Sequence, residues 1–274
     1  MRDKSFVMKR YLMAKKYNFG EKELANVQLE ALVMDQTRAS PNILDIYGHC
    51  GTSVLIEAMS SGISHRIVPG KGVSEQKPLY ENGNFHSFNN LTTSEKLEIA
   101  TSMAESLAAL HDFDKGVIVH GDVNIDQWLI DHQGKIKLND FNLAEILPWN
   151  DASKEYGSFK KKYDGAFRLV RSPEEFMGMS SGKEKDMYSY GNIIYSLLTG
   201  LWPFYDELAR TVDPGKRREA IYNGARPYID EALSQTTNQV EKQLLHIMKQ
   251  CWHTDPMKRP SMEDVVDILK RTKT

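Results

Sequence analysis

The stretch from Val117 to Ala144, VIVHGDVNIDQWLIDHQGKIKLNDFNLA, constrains this chain more than any other. Trp128–Ile130 and Lys135–Leu138 read as two short strands. Asp131-His132-Gln133-Gly134 between them is a turn sequence, with Gly where a positive φ is needed. Pairing across a turn centred between residues 132 and 133 sets Gln127 within a residue or two of Asp140. Ile136, Leu138 and Asp140 then alternate onto one face. Asp122, five residues before Gln127, reaches the same mouth. Two carboxylates and an amide oxygen converging there suit a hard cation such as Mg²⁺ carrying phosphates. Hairpin ends that are simply solvated explain the same residues, and spacing alone leaves both readings open.

The rest of the chain is read around that hairpin. At 274 residues it holds one or two domains and can bury a full core. Lys+Arg 35 against Asp+Glu 37 leaves a net charge of −2, which argues against a nucleic-acid protein driven by bulk charge. Cys50 and Cys251 have no metal-ligand spacing, so neither a disulfide scaffold nor a Cys-based zinc site is expected, and a reducing, cytoplasmic setting fits. No apolar run approaches a membrane span, and the first residues lack a signal-peptide core. Asn90-Leu91-Thr92 matches a glycosylation sequon, a pattern common by chance.

Residues 60–90, rich in Gly, Asn and Ser, read as one long loop with a lobe boundary near its start. Before it, Phe6-Val7-Met8 is a short strand, Glu21 to Arg38 a helix, and Ile43–His49 and Ser53–Met59 two strands around a Gly51-Thr52 turn. After it helices dominate. Thr92 with Glu95 forms a capping box opening an amphipathic helix to His111. Asp186–Thr199, stopped by Gly200, Glu241–Cys251 and Met262–Lys270 are further helices.

His120-Gly121-Asp122, then Gln127, then Asp140-Phe141-Asn142 resemble the catalytic loop and metal-binding motif of eukaryotic protein kinases. The resemblance extends along most of the chain. Val7-Met8-Lys9 is similar to the end of the kinase V-A-I-K strand, and Glu30 stands where the helix-αC glutamate should. Ser172-Pro173-Glu174 resembles A-P-E, and Asp186 to Gly191 resembles D-x-W-S-x-G. Trp202-Pro203-Phe204 and Cys251-Trp252 through Arg259-Pro260 resemble later landmarks, Cys251-Trp252 leaning toward the tyrosine-kinase-like branch.

The resemblance implies an α+β, bilobal fold: a partial, strand-rich N-lobe over residues 1–60, starting at the lysine strand, and a larger, mainly helical C-lobe over 61–274. It implies ATP and Mg²⁺ as cofactors, a protein substrate or signalling partner, and transfer to Ser/Thr, less readily Tyr, hydroxyls. Lys9 would pair with ATP phosphates and with Glu30. Asp122 would accept the substrate hydroxyl proton. Asp140 and Gln127 would hold metal. Ile56 would be the gatekeeper, the backbone of Glu57 to Met59 would meet adenine, and Leu129 would line the same site. Glu174 and Arg259 would form a buried structural ion pair.

The pattern is broken in five places. Nothing in residues 1–8 supplies a Gly-rich loop. Gly121 replaces the catalytic-loop arginine, Asn124 the lysine usual in Ser/Thr kinases, Gln127 an asparagine, and Asn142 the glycine after Asp-Phe, a position whose left-handed geometry asparagine tolerates. These departures keep two alternatives open: a pseudokinase acting as a binding module, and a small-molecule phosphotransferase, whose His-Gly-Asp loop is closer to residues 120–122. Without the arginine, no phosphate on residues 142–171 would be needed to order that segment, despite Ser153, Tyr156, Ser158, Tyr163 and the basic run Lys160–Lys162.

Overall fold

The computed structural model describes residues 5–10, 20–38, 40–69, 80–81, 84–85, 87–113, 116–160, 170–204 and 214–273. The N-terminal part is a three-stranded antiparallel sheet. Strand β1 (Phe6–Arg10) is followed by helix α1 (Glu21–Gln36), then β2 (Ile46–Cys50) and β3 (Ser53–Glu57). β3 lies in the middle, paired with β1 so that Lys9 faces Val54, and with β2 on its other edge. Val54 and Ile56 alternate into the core, as period two requires. α1 buries Glu30, Ala31, Val33 and Met34, and the Gly20 N–H donates to Glu23 at 2.9 Å where the helix begins. Phe6, Val7 and Met8 on β1 remain exposed.

The expected long loop is partly ordered. Its first residues form β4 (Ser61–Gly62) and a single helical turn, α2 (Ser64–Ile67); β5 (Tyr80–Glu81) and β6 (Asn84–Phe85) pair further on. Elements this short carry no readable period, so composition alone could not separate them from loop. The Gly70–Gly72 part and Asn82-Gly83 lie outside the described residues.

α3 (Thr93–His111) opens on the expected capping box, with Glu95 N–H to Thr92 Oγ1 at 3.2 Å and Thr92 N–H to Glu95 at 2.9 Å. β7 (Val117–Val119) leads into the His120-Gly121-Asp122 loop. β8 (Trp128–Ile130) and β9 (Ile136–Leu138) form the hairpin, with β4 added on the outer side of β8. β10 (Glu145–Leu147) pairs back on β7. β11 (Trp149–Asn150) pairs with β12 (Glu155–Tyr156). β13 (Phe159–Lys160) pairs with β14 (Ser180–Ser181), across α4 (Pro173–Met177).

α5 (Glu184–Thr199) is the axis of the larger part, buried from Lys185 to its end. Gly191 explains how it can be so closely covered: a Cβ there would lie 2.8 Å from the Trp252 ring. Trp252 instead lies against the helix and donates to Asn192 at 3.0 Å. Around it stand α6 (Pro214–Tyr222), α7 (Glu231–Ser234), α8 (Gln239–Cys251) and α9 (Met262–Arg271), with α8 against α5 and α9 against α3. One hydrophobic core runs from Ala31 and Ile56 through Trp128 and Phe141 to Leu198 and Leu269, so the small and large parts share an interior.

Candidate active site

The hairpin register sets the site. Trp128 faces Leu138 and Ile130 faces Ile136, a pairing centred on residue 133. Gln127 therefore stands opposite Asn139, whose N–H donates to the Gln127 carbonyl at 2.8 Å. Asp140 follows, with φ at 66°, the left-handed region. The left-handed residue expected at Asn142 is thus found two positions earlier. The turn at Asp140 lets Phe141 bury completely beside His120, ring centroids 5.3 Å apart, while the carboxylate faces the cleft.

Lys9 crosses from β1 into this cleft. Its Nζ lies 2.6 Å from Glu30 Oε1 on α1 and 2.9 Å from Asp140 Oδ1. The expected Lys9–Glu30 pair is present, and Asp140 joins it. Partial burial would lower the lysine's pKa, but the two carboxylates outweigh it and raise it, so Lys9 is firmly cationic. Glu30 is buried, and burial lifts its carboxyl above the usual range against the pull of Lys9.

Asp122 is held by both oxygens. Gln127 Nε2 donates to Oδ2 at 2.7 Å and Arg171 to Oδ1 at 3.0 Å. A carboxylate has about four acceptor sites, so lone pairs remain for a substrate hydroxyl. The backbone beneath is fixed by Asp186 at the start of α5. It accepts His120 N–H at 2.7 Å and Gly121 N–H at 3.0 Å, and His111 Nε2 lies 3.1 Å away. Burial would raise the Asp186 pKa, yet the bond and charge of His111, with His120 and Lys185, hold it below the ordinary value.

Gly121 has φ 72°, and a Cβ there would fall 2.6 Å from the Leu143 carbonyl oxygen, so this backbone tolerates no side chain without shifting. Lys185 Nζ lies 3.9 Å from the same point and is itself buried, paired with Glu145 at 2.6 Å. An internal ion pair thus occupies the ground under the start of the 142–171 segment. Asn124 is buried and turned into its own loop, donating to Asp122 O at 2.8 Å and accepting from Asp126 N–H at 3.1 Å. Of the segment's expected acceptors, Ser158 is exposed and bonded to Ser180; Tyr163, Lys161 and Lys162 lie outside the described residues.

Ile56 is buried at the end of β3. Glu57 N–H and Ala58 N–H donate to Asp45 O and Ser5 O at 3.1 and 3.2 Å, and Ser60 N–H to Ile130 O at 2.8 Å. Among the described residues this leaves the Met59 N–H without a backbone partner. The Glu57 side chain turns away to Lys137, 2.5 Å, and Asp45 N–H, 2.8 Å. Leu129 is half-buried on β8, next to Gly62. The hollow beside Lys9, lined by Lys9, Glu30, Val54 and Asn142, measures about 460 Å³.

For a metal, no group of three or more His, Cys, Asp or Glu side chains converges among the described residues. Asp140 offers a second carboxylate oxygen and Gln127 an amide oxygen, both hard donors. Such a short set suits Mg²⁺, which keeps water and phosphate ligands, better than zinc. The Glu174–Arg259 pair is buried, with bonds of 2.6 and 3.0 Å.

Two features escape motif reading: Arg171 on Asp122, and Lys185 on Glu145. Each joins residues tens of positions apart, and the only hint in the sequence is a charged residue directly before Ser172-Pro173-Glu174 and before Asp186.

Comparison with known proteins agrees with this geometry. The family described as protein kinase domain matches residues 2–268. A protein kinase and PP2C-like domain-containing protein of Arabidopsis thaliana is 32% identical over 62% of this chain and 28% of its own length. A probable serine/threonine-protein kinase of Dictyostelium discoideum is 28% identical over 84% of the chain and 12% of its own length. The mitogen-activated protein kinase kinase kinase 7 of Bos taurus is 26% identical over 84% of the chain and 34% of its own length. The chain thus spans about a third or less of these relatives.

Proposed function

The chain belongs to the protein kinase family, and from that premise we propose that it transfers a phosphoryl group from ATP to Ser/Thr hydroxyls of a protein. The observation that carries this reading is the three-way contact of Lys9 with Glu30 and Asp140, next to an Asp122 held by Gln127. A cation fixed between two carboxylates is placed to receive phosphate oxygens, and phosphoryl transfer is mostly positioning and charge stabilisation. The name of the Dictyostelium relative, a probable serine/threonine-protein kinase, supports Ser/Thr as acceptors.

In this reading Lys9 binds phosphate oxygens and Glu30 orients it. Asp140 Oδ2 and the Gln127 amide oxygen would hold Mg²⁺, which when bound neutralises charge on the transferring phosphate. Asp122 accepts the hydroxyl proton on a free lone pair. The Met59 N–H, with the Glu57–Met59 backbone, receives adenine between Ile56 and Leu129. The bonds of Ser60 and β4 to β8 support a lobe boundary near residue 60. A reducing compartment fits two cysteines, of which Cys251 is buried with its thiol pushed up to about 12. No helix among the described residues is long and apolar enough to cross a membrane.

The test is transfer of label from γ-labelled Mg·ATP to dephosphorylated casein, followed by phosphoamino-acid analysis. Phosphoserine or phosphothreonine above the level given by Asp122→Asn is expected. ATP binding with no transfer above that level would make the chain a nucleotide-binding module instead.

A further inference from the structure

The catalytic loop has no cation of its own. Gly121 carries no side chain, and the amide of Asn124 is used inside the loop. The charge at Asp122 arrives from the far end of the 142–171 segment. Arg171 donates to Asp122 Oδ1 at 3.0 Å, to the Gly121 carbonyl at 2.8 Å and to Glu175 Oε1 at 2.9 Å.

Its seat is rigid on both sides. Just before it, the Val170 carbonyl accepts from Ser189 at 2.9 Å and Asn192 at 2.8 Å, both on α5. Just after it, Ser172 N–H donates to the other Glu175 oxygen at 2.9 Å. Glu175 is buried; burial lifts its carboxyl, and Arg171 is the chief charge opposing that. A side chain locked at its backbone and at its tip can hold a partner to a fraction of an ångström.

We propose that Arg171 is the positioning residue for Asp122, orienting the carboxylate that takes the substrate proton with a guanidinium the catalytic loop itself lacks. The inference rests on the phosphoryl-transfer reading above. Gln127 fixes one carboxylate oxygen and Arg171 the other, so the lone pairs left over have a defined direction. Because Arg171 directly follows Val170, the seating of Val170 on α5 and the geometry of Asp122 are one arrangement.

The experiment compares kcat and KM for Mg·ATP on dephosphorylated casein in the parent, Arg171→Gln, Arg171→Lys and Asp122→Asn proteins, with ATP-induced thermal shift reporting an intact nucleotide site. Arg171→Gln should lower kcat about 100-fold, the order of loss expected for a misplaced reacting group, with the KM for ATP within about threefold. Arg171→Lys keeps the charge but not the fork, and should recover about tenfold of that loss. Arg171→Gln within threefold of the parent, or faster than it, would overturn the inference; so would equal loss of kcat and ATP affinity, which marks a merely structural staple. Arg171→Lys no better than Arg171→Gln would overturn the role of charge. If Arg171→Gln binds no ATP, Arg171→Lys decides: a roughly tenfold lower kcat at unchanged KM supports positioning, and parental kcat overturns it. A parent no faster than Asp122→Asn overturns the phosphoryl-transfer reading and this inference with it, a result distinct from an active parent that ignores Arg171.

Discussion

Two ion pairs, one in each part of the molecule, are built from similar atoms at similar distances and do different work. Arg259–Glu174 closes at 2.6 Å with both side chains sealed, at 0% and 4% exposure. Arg259 also bonds the His253 and Glu184 carbonyls and lies over the Tyr188 ring. Lys9–Glu30 also closes at 2.6 Å, but the lysine is 38% exposed and shares itself with Asp140. In the first pair each of the three guanidinium nitrogens has a partner inside the protein. The second keeps one end in the cleft, where a ligand can compete for it. Identical distances therefore say little; the solvent around the cation separates a structural lock from a binding group.

The comparison can be broken most decisively in the larger part. Arg259→Met leaves Glu174 buried without a counter-charge and should cost about 3–5 kcal/mol in urea unfolding. A loss under about 1 kcal/mol would mean that the sealed pair behaves like a surface one. Next comes Asp140→Asn. At a hundredfold its dissociation constant a nucleotide should stabilise the parent by about 2.7 kcal/mol. Asp140→Asn should lose the Mg²⁺-dependent part of that gain, whereas Asp122→Asn should retain it. Equal Mg²⁺-dependent shifts in Asp140→Asn and parent would remove Asp140 from the metal site.

Lys9→Met sharpens the contrast from the other side. Its effect on stability should be smaller than that of Arg259→Met, since the lysine is more than a third exposed and Glu30, already lifted by burial, can take up a proton when its partner goes, while ATP binding falls. A large unfolding effect with intact ATP binding would reverse the assignment of the two pairs.

Acid should separate the regions by sign. Asp186 sits below its ordinary value of 3.8 when folded, so its contribution is complete above that value and is lost as pH falls through the folded pKa. Glu30 sits above its ordinary 4.5, so the folded state holds its proton more tightly; that stability is present below 4.5 and lost as pH rises through the folded pKa. Urea midpoints of Glu30→Gln should therefore gain on the parent as pH rises from 4.5, and those of Asp186→Asn should gain on it as pH falls below 3.8. Parallel curves for both variants would show that neither carboxyl is perturbed. The smallest effect belongs to Ser158→Ala. With Lys185–Glu145 already buried under the segment, turnover should stay within a few-fold of the parent; a hundredfold loss, about 2.7 kcal/mol of barrier, would show that a phosphate orders it.

What the chain carries locally was legible from its residues. The β8–β9 hairpin follows from a turn sequence and two apolar runs, and α3 from a capping box and a 3.6-residue stripe. Both depend on neighbours within a few positions. Asp122, Gln127 and Asp140 belong to the same short stretch, so their grouping could be placed before any fold was known. Lys9 and Glu30 were placed by resemblance, and their contact needed only one strand beside one helix. Arg171 reaches Asp122 across 49 positions and Lys185 reaches Glu145 across 40. Those meetings depend on where α5 anchors Val170 and His120, which no local pattern encodes. The left-handed turn falls at Asp140 rather than Asn142 for the same reason: burying Phe141 against His120 sets the backbone there, and that burial exists only once the two parts share a core.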